Sequence, residues 1–298
     1  MTNSDTSEHA VVAGVDGSES AGRAVRWAAH EAARRGVPLR LVHVCHLAPV
    51  RHPKHVPPPP EYRNAVLDQG RHWLIEAVDV ARQAEPGLTV TTDMRDGNAA
   101  DLLIRESQTA RLVVLGSRGL GGFGAMLLGS VSVAVAAHGH CPVAVVRMAD
   151  DQPETGPVLV GVDGSERSDA AVAFAFETAV ARGVPVVALH TWWDVDVSGA
   201  WAAVPDTIDW EYLRKQAEQA LTDAMRPWRA TFPDVEVREV VERERLARAL
   251  LRHGAEASLI VVGSRGRGAV IGLGLGSVSQ TLLHHATCPV VVARHEKE

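Results

Sequence analysis

Two glycine-rich segments have the residue spacing most suited to binding chemistry in this chain. In each, two glycines two residues apart are followed, after nine more residues, by a Gly-Ser pair. Gly116-Ser117-Arg118-Gly119 leads to Gly129-Ser130, and Gly263-Ser264-Arg265-Gly266 leads to Gly276-Ser277. Glycine lets a ligand approach main-chain amides closely, and amides lining such a turn form an anion-binding concavity. The spacing therefore predicts the binding of phosphate groups.

The serine after each motif begins a helical pattern, and a helix N-terminus favours phosphate through its free N–H groups and its positive dipole end. Ser130 and Ser277 either donate hydroxyl bonds to the phosphate, cap the helix, or do both. The two arginines either contact phosphate or face solvent. The predicted contacts are Gly116, Ser117, Arg118, Gly119, Gly121, Gly129, Ser130, Val131 and Ser132 in the first segment, and Gly263, Ser264, Arg265, Gly266, Gly268, Gly276, Ser277, Val278 and Ser279 in the second.

Other interpretations of the glycines fit the sequence less well. Gly119–Gly124 matches the GxGxxG dinucleotide pattern, but it follows the fourth predicted strand, and Ile271 replaces its last glycine in the second segment. Neither segment has the lysine that P-loop nucleotide hydrolysis requires. A ligand-free flexible turn is disfavoured because two complete segments share one spacing.

Both segments belong to a repeat that runs through the chain. Val11–Ser18 recurs as Val158–Ser165, His43 recurs as His190, and all repeated motifs are separated by the same 147 residues. A constant offset predicts two whole copies of one domain, at residues 1–149 and 157–298. The polar, proline-containing residues 150–156 are the predicted linker.

Strand and helix patterns alternate within each copy. Short apolar strands without polar alternation indicate a parallel sheet covered on both faces. The alternation predicts an α/β fold, doubly wound, with about five strands per copy. In the first copy the predicted strands are Val11–Val15, Leu39–Val44, Thr89–Met94, Leu112–Leu115 and Val143–Arg147.

The glycine spacing, between an apolar strand and a helix, resembles the ATP-binding motif of the universal stress protein family. The opening Gly14-Val15-Asp16-Gly17-Ser18 resembles that family's first strand and turn, and the resemblance covers nearly the whole of both copies. It implies two tandem adenine nucleotide alpha hydrolase-like domains with strand order 3-2-1-4-5. It also implies one ATP per domain, with Mg²⁺, at the C-terminal ends of strands one and four, where ligands of such sheets bind.

The same resemblance assigns further residues to the adenine or ribose end of each ATP. Asp194 is the weaker candidate, since Leu47 holds its place in the first copy, and Asp16 and Asp163 have the alternative role of capping the next turn or helix. Trp192-Trp193 either stack on a base or pack in the interior. The assigned residues are Gly14, Asp16 and Val44 in the first copy and Gly161, Asp163, Thr191 and Asp194 in the second.

The resemblance implies a stress-responsive regulator in the cytoplasm whose output depends on nucleotide, and which forms a homodimer of tandem chains. The alternative is an enzyme, a slow ATPase or phosphotransferase. We expect a regulator, because no general base recurs near the glycine segments of both copies. The protein partner and the stress are left open.

Composition excludes several other classes of protein. The net charge of −6 provides no basic surface for nucleic acid or an anionic membrane. No apolar run approaches the roughly 18 residues of a membrane span, and the polar Met1–Ala10 predicts no signal peptide. The three distant cysteines fit a reducing cytoplasm. Histidines near Cys141 and Cys288 are spaced differently in the two copies, so we expect no metal site there.

Overall fold

A computed structural model describes residues 9–45, 60–119, 128–147, 155–164, 166–192, 209–264 and 274–294. The chain divides into two compact units, Met1–Arg147 and Met148–Lys297. Most of the predicted linker lies outside the described residues, so its limits stay a prediction. In the part of the chain that the structure describes, every helix is too short or too polar to traverse a lipid bilayer.

The first domain alternates strands and helices, and its five strands are parallel in the order 3-2-1-4-5. The predicted doubly wound α/β fold is therefore confirmed. Its elements are β1 (Val11–Val15), α1 (Glu19–Arg35), β2 (Leu39–Cys45), α2 (Pro60–Ala84), β3 (Val90–Asp96), α3 (Ala99–Glu106), β4 (Leu112–Gly116), α4 (Ser130–His138) and β5 (Val143–Val146).

The second domain repeats this arrangement, with the strands in the order β8-β7-β6-β9-β10. Counted from the start of the domain, this is again 3-2-1-4-5. Its elements are β6 (Val158–Gly161), α5 (Glu166–Arg182), β7 (Val186–Thr191), α6 (Trp210–Thr231), β8 (Val237–Glu242), α7 (Leu246–His253), β9 (Leu259–Gly263), α8 (Ser277–His285) and β10 (Val290–Ala293).

Local sequence explains where α1 begins and ends. The Ser18 hydroxyl accepts a hydrogen bond from the Ala21 amide at 3.1 Å, which satisfies one of the free N–H groups of the first turn. At the other end Gly36 adopts the left-handed conformation, with φ of 64°, that glycine takes without steric cost. The alanine-rich face of α1, including Ala24, Ala28 and Ala32, is fully buried. This helix covers the centre of the sheet at β1 and β4.

The strand order places a crevice at one edge of the sheet. Val11 of β1 is paired with Leu39 of β2 on one side and with Leu112 of β4 on the other. The chain therefore leaves β1 and β4 towards opposite faces of the sheet, and the loops that follow them separate. The glycine segments follow β4 and β9, so the fold positions them at this crevice in each domain.

Candidate functional site

A cavity of about 590 Å³ lies at the carboxyl ends of β1, β2 and β4 in the first domain. This volume is within the range of small-molecule sites, about 300–1,000 Å³. Most of the residues predicted from the first copy line the cavity, while Gly121 lies outside the described residues. The predicted residues that line it are Gly14, Asp16, Val44, Gly116, Arg118, Gly119, Gly129, Ser130, Val131 and Ser132.

The N-terminus of α4 forms one end of this cavity. Gly129, rather than Ser130, is the N-cap residue, so of the alternatives considered for Ser130 the capping role is wrong. Gly276 takes the same place before Ser277 in the second domain. Glycine has no side chain to bind the first N–H groups of the helix, which have no intrahelical acceptor. The cavity therefore ends at backbone donors and at the exposed Ser130 side chain.

The hydroxyl of Ser132 has a structural bond that the sequence did not predict. It is buried and donates to the Gly116 carbonyl at 2.7 Å, and Ser279 donates in the same way to Gly263 at 2.8 Å. We predicted these hydroxyls as phosphate donors. Their hydrogens instead fasten the first turn of the helix to the end of the preceding strand.

Ser117 is a second correction, since it is buried and is not among the residues that line the cavity. Its amide donates to the Val146 carbonyl at 3.2 Å, and its own carbonyl accepts from the Gly129 amide at 2.8 Å. Ser264 repeats both bonds, to the carbonyl of Ala293 and from the amide of Gly276. The backbone hydrogen bonds of these serines thus join the end of the fourth strand to the fifth strand and to the residue that begins the following helix.

Asp16 lies against the glycine segment. Its Oδ1 accepts from the Ser18 amide at 3.0 Å and from the Ser18 hydroxyl at 2.6 Å, so the predicted turn-capping role is present. The other carboxylate oxygen faces Gly119, and a Cβ atom at Gly119 would overlap it. Among the described glycines of the two motifs, none has a positive φ. A side chain at position 119 would therefore displace the Asp16 carboxylate, whereas the backbone conformation there does not call for glycine.

Two aromatic residues that the sequence analysis did not assign to the site also line the cavity. His43 of β2 is buried, and its Nδ1 lies 2.7 Å from the Val15 carbonyl, which can only accept. Nδ1 therefore carries a proton. The recurrence of His43 as His190, which contacts the Val162 carbonyl at 2.7 Å, was the available signal. Trp73 of α2 reaches the same cavity, and no motif indicated it.

The glycine segment carries positive charge. Arg118 lines the cavity, and Arg147 follows β5 nearby. Burial, and then the neighbouring charge of Arg118, lower the pKa of Arg147 from its ordinary value. Two guanidinium groups thus repel each other at this end of the sheet, which an anion between or beside them would relieve.

The described part of the second domain repeats the frame of the site. Gly161 ends β6, Asp163 follows it, Thr191 ends β7, and Val278 follows Ser277 in the first turn of α8. Four predicted residues lie outside the described ranges: Asp194, Arg265, Gly266 and Gly268. Within the described ranges, no group of three His, Cys, Asp or Glu side chains is placed to hold a metal ion.

Comparison with known proteins agrees with this architecture. The model of the universal stress protein family matches residues 9–147 and again residues 154–294. Universal stress protein Rv2623 of Mycobacterium tuberculosis is 41% identical over 299 residues, covering 98% of each chain. A second protein of that organism, universal stress protein Rv2005c, is 40% identical over 293 residues, covering 96% of this chain and 97% of the other.

A solved structure agrees as well. The crystal structure of a universal stress protein from Archaeoglobus fulgidus superposes with a TM-score of 0.70, at 22% identity, over 97% of this chain and 99% of the other. At that identity the likeness establishes the fold. The chain therefore belongs to the universal stress protein family, and it carries two tandem domains of that family.

Proposed function

We propose that the chain binds ATP, with Mg²⁺, at one site in each domain and acts as a nucleotide-dependent regulator rather than as an enzyme. One observation carries the proposal: the crevice between β1 and β4 leads directly to the N-terminus of α4. A triphosphate at that end would satisfy the free N–H groups of the helix. Arg118 would add a charge-assisted contact.

The remainder of the cavity fits a nucleoside. One wall of the cavity is apolar and is formed by Val42, Leu103 and Leu115. Val44 lies at the end of β2, where the base would sit. Asp16 would contact the ribose or, through its carboxylate beside Gly119, share Mg²⁺ with the phosphate oxygens. Bound Mg²⁺ would neutralise part of the triphosphate charge, and it prefers oxygen ligands of this kind.

The proposal includes two properties of the whole protein. Tandem chains would pair as a homodimer, and the protein would work in the cytoplasm, with neither nucleic acid nor membrane as a partner. The net charge of −6 and the family membership support these expectations. An enzymatic role, as a slow ATPase or phosphotransferase, has no contact in the described residues that favours it.

The direct test is the nucleotide stoichiometry of the full chain. Native mass spectrometry of the purified protein should detect retained ATP or ADP, and calorimetry on the nucleotide-stripped protein should saturate at two ATP per chain. A chain that takes up only one ATP would mean that one domain is silent. A chain that binds none would overturn the proposal.

A further inference from the structure

Trp73 is a large aromatic side chain that lines the cavity. It lies on α2, which packs over β2, and its ring makes an edge contact with His43 at 5.3 Å between centroids. It also covers the turn after β1: a Cβ atom at Gly17, where φ is 80°, would overlap the indole. The ring is only partly buried, and its remaining surface lines the cavity.

The packing of α2 fixes where this ring lies. A Cβ atom at Gly70, one turn before Trp73, would lie 2.6 Å from Cδ2 of His43. The helix backbone therefore approaches β2 as closely as a glycine allows. His43 is held in turn by the Val15 carbonyl. The indole thus packs against His43 and the turn at Gly17. Because both are held in place, little reorganisation is needed before a flat ligand contacts the ring.

The second domain repeats the support for the ring but not the ring itself. Gly164 has a φ of 72° in the turn after β6, and His190 contacts the Val162 carbonyl as His43 contacts Val15. The residue 147 positions after Trp73 is Ala220, which is exposed.

Trp192, at the end of β7, does not replace the missing ring in the described structure. Its ring lies 6.1 Å from that of Trp210, with the Arg243 guanidinium 3.7 Å from the Trp210 centroid. These contacts extend towards β8. Among the described residues, the second domain therefore has no ring at the position of Trp73, while Trp193 lies outside the described residues.

We propose that Trp73 stacks on the base of the nucleotide in the first domain, so that the affinity of this site depends on the base as well as on the phosphates. The inference rests on the proposed function, since it concerns the same ATP site. Aromatic rings stack on any nucleobase, so the contact favours nucleotides over other phosphates without selecting one base.

Calorimetry on the nucleotide-stripped full chain tests this, with ATP and with inorganic tripolyphosphate, which has three phosphates but no base. Trp73→Ala should weaken one of the two ATP-binding events by roughly 5- to 100-fold, the range of a lost base–aromatic stack. The other event, and tripolyphosphate binding, should stay unchanged. Ile75→Ala is the matched control, because Ile75 is an exposed, large apolar residue of the same helix that lines neither this cavity nor the smaller one beside Trp73.

Two further variants separate stacking from packing. Trp73→Phe keeps an aromatic face and should retain most of the affinity, whereas Trp73→Leu fills space without one and should behave like Trp73→Ala. Equal affinities of the Phe and Leu variants would overturn the inference. So would two unchanged ATP events in Trp73→Ala, or an equal loss for ATP and tripolyphosphate. These results leave ATP binding itself intact, whereas no ATP binding by the unaltered chain would remove the proposed function.

Discussion

Ser130 and Ser132 are two residues apart in one helical turn, yet their side chains have different surroundings. Ser130 is exposed at the mouth of the cavity, while Ser132 is buried with its hydroxyl on the Gly116 carbonyl. A hydroxyl that satisfies a buried carbonyl contributes to folding, and one that faces a ligand site contributes to binding. The same division applies to Ser277 and Ser279 in the second domain.

Alanine substitutions should separate these two roles. Ser132→Ala leaves the Gly116 carbonyl without its donor, so it should lower the free energy of unfolding of the nucleotide-free protein by about 1–3 kcal/mol. Ser130→Ala should change that stability by less than about 0.5 kcal/mol but weaken ATP binding roughly 10-fold. Thermal melts without nucleotide and ATP titrations measure the two effects. If Ser130→Ala bound ATP as the unaltered chain does, the phosphates would not lie at α4.

Among the elements, the third strand and third helix of each domain are joined by an acidic and a basic side chain, which exchange places between the two domains. Arg95 of β3 lies 2.9 Å from Glu106 of α3, and at the same two positions of the second domain Glu242 lies 2.9 Å from His253. Burial alone would raise the pKa of Glu242, but hydrogen bonds from His253 and Arg252 hold it below its usual value. The repeat thus retains the link between the elements and not the residues that form it.

Asp93 provides a pH-dependent link between β2 and β3. Burial acts to raise the pKa of its carboxyl, but hydrogen bonds from Arg40 at 2.5 Å and Arg95 at 2.8 Å outweigh it and lower the pKa. Because the pKa is lower in the folded protein, the charged carboxylate stabilises the fold. This contribution is fully present at pH values above the unfolded-state pKa of about 3.9, and it is lost as the pH falls through the lower folded-state pKa.

Asp93→Asn should therefore destabilise the protein at pH 7, by up to about 1 kcal/mol for a partly exposed pair. The difference from the unaltered chain should shrink as the pH falls below about 4, because the aspartate of the unfolded chain is protonated there before that of the folded chain. Urea denaturation followed by circular dichroism at pH 7 and at pH 3 measures it. A difference of the same size at both values would mean that the charge of Asp93 does not stabilise the fold.

For the whole molecule, the open question is whether bound ATP is turned over. No base near the glycine segments was expected, but the structure places the Asp16 carboxylate beside Gly119, and Asp163 occupies the same position in the second copy. Asp16 Oδ1 already accepts two hydrogen bonds from Ser18. This position suits a fixed contact better than a group that must take up a proton.

Steady-state phosphate release by the full chain should accordingly be slower than about 1 per second, the low end of ordinary enzyme rates. A coupled phosphate assay measures it, with the double variant Asp16→Asn, Asp163→Asn as the control. Faster release that this variant abolishes at ATP concentrations that saturate both proteins would make the protein an enzyme with Asp16 or Asp163 as its base. Equal slow release by both proteins is the expected result.

The sequence by itself determined the tandem repeat, the α/β class and the position of the site in the chain. These features depend on local patterns, because an apolar run predicts a buried strand wherever it occurs, and two copies at one offset reinforce each other. A glycine at the end of a helical pattern is a local signal of the same kind, and Gly36 ends α1 with φ of 64°. The motif glycines could be recognised from their spacing alone.

Only the tertiary structure decided which side chains meet at the site. Trp73 and Gly17 are far apart in the chain, and so are Asp16 and Gly119, yet each pair is in close contact. Such contacts depend on how helices pack on the sheet, which no local pattern specifies. The same reason applies to Ser132, whose hydroxyl donates to the Gly116 carbonyl, because the start of α4 lies beside the end of β4 in the folded chain.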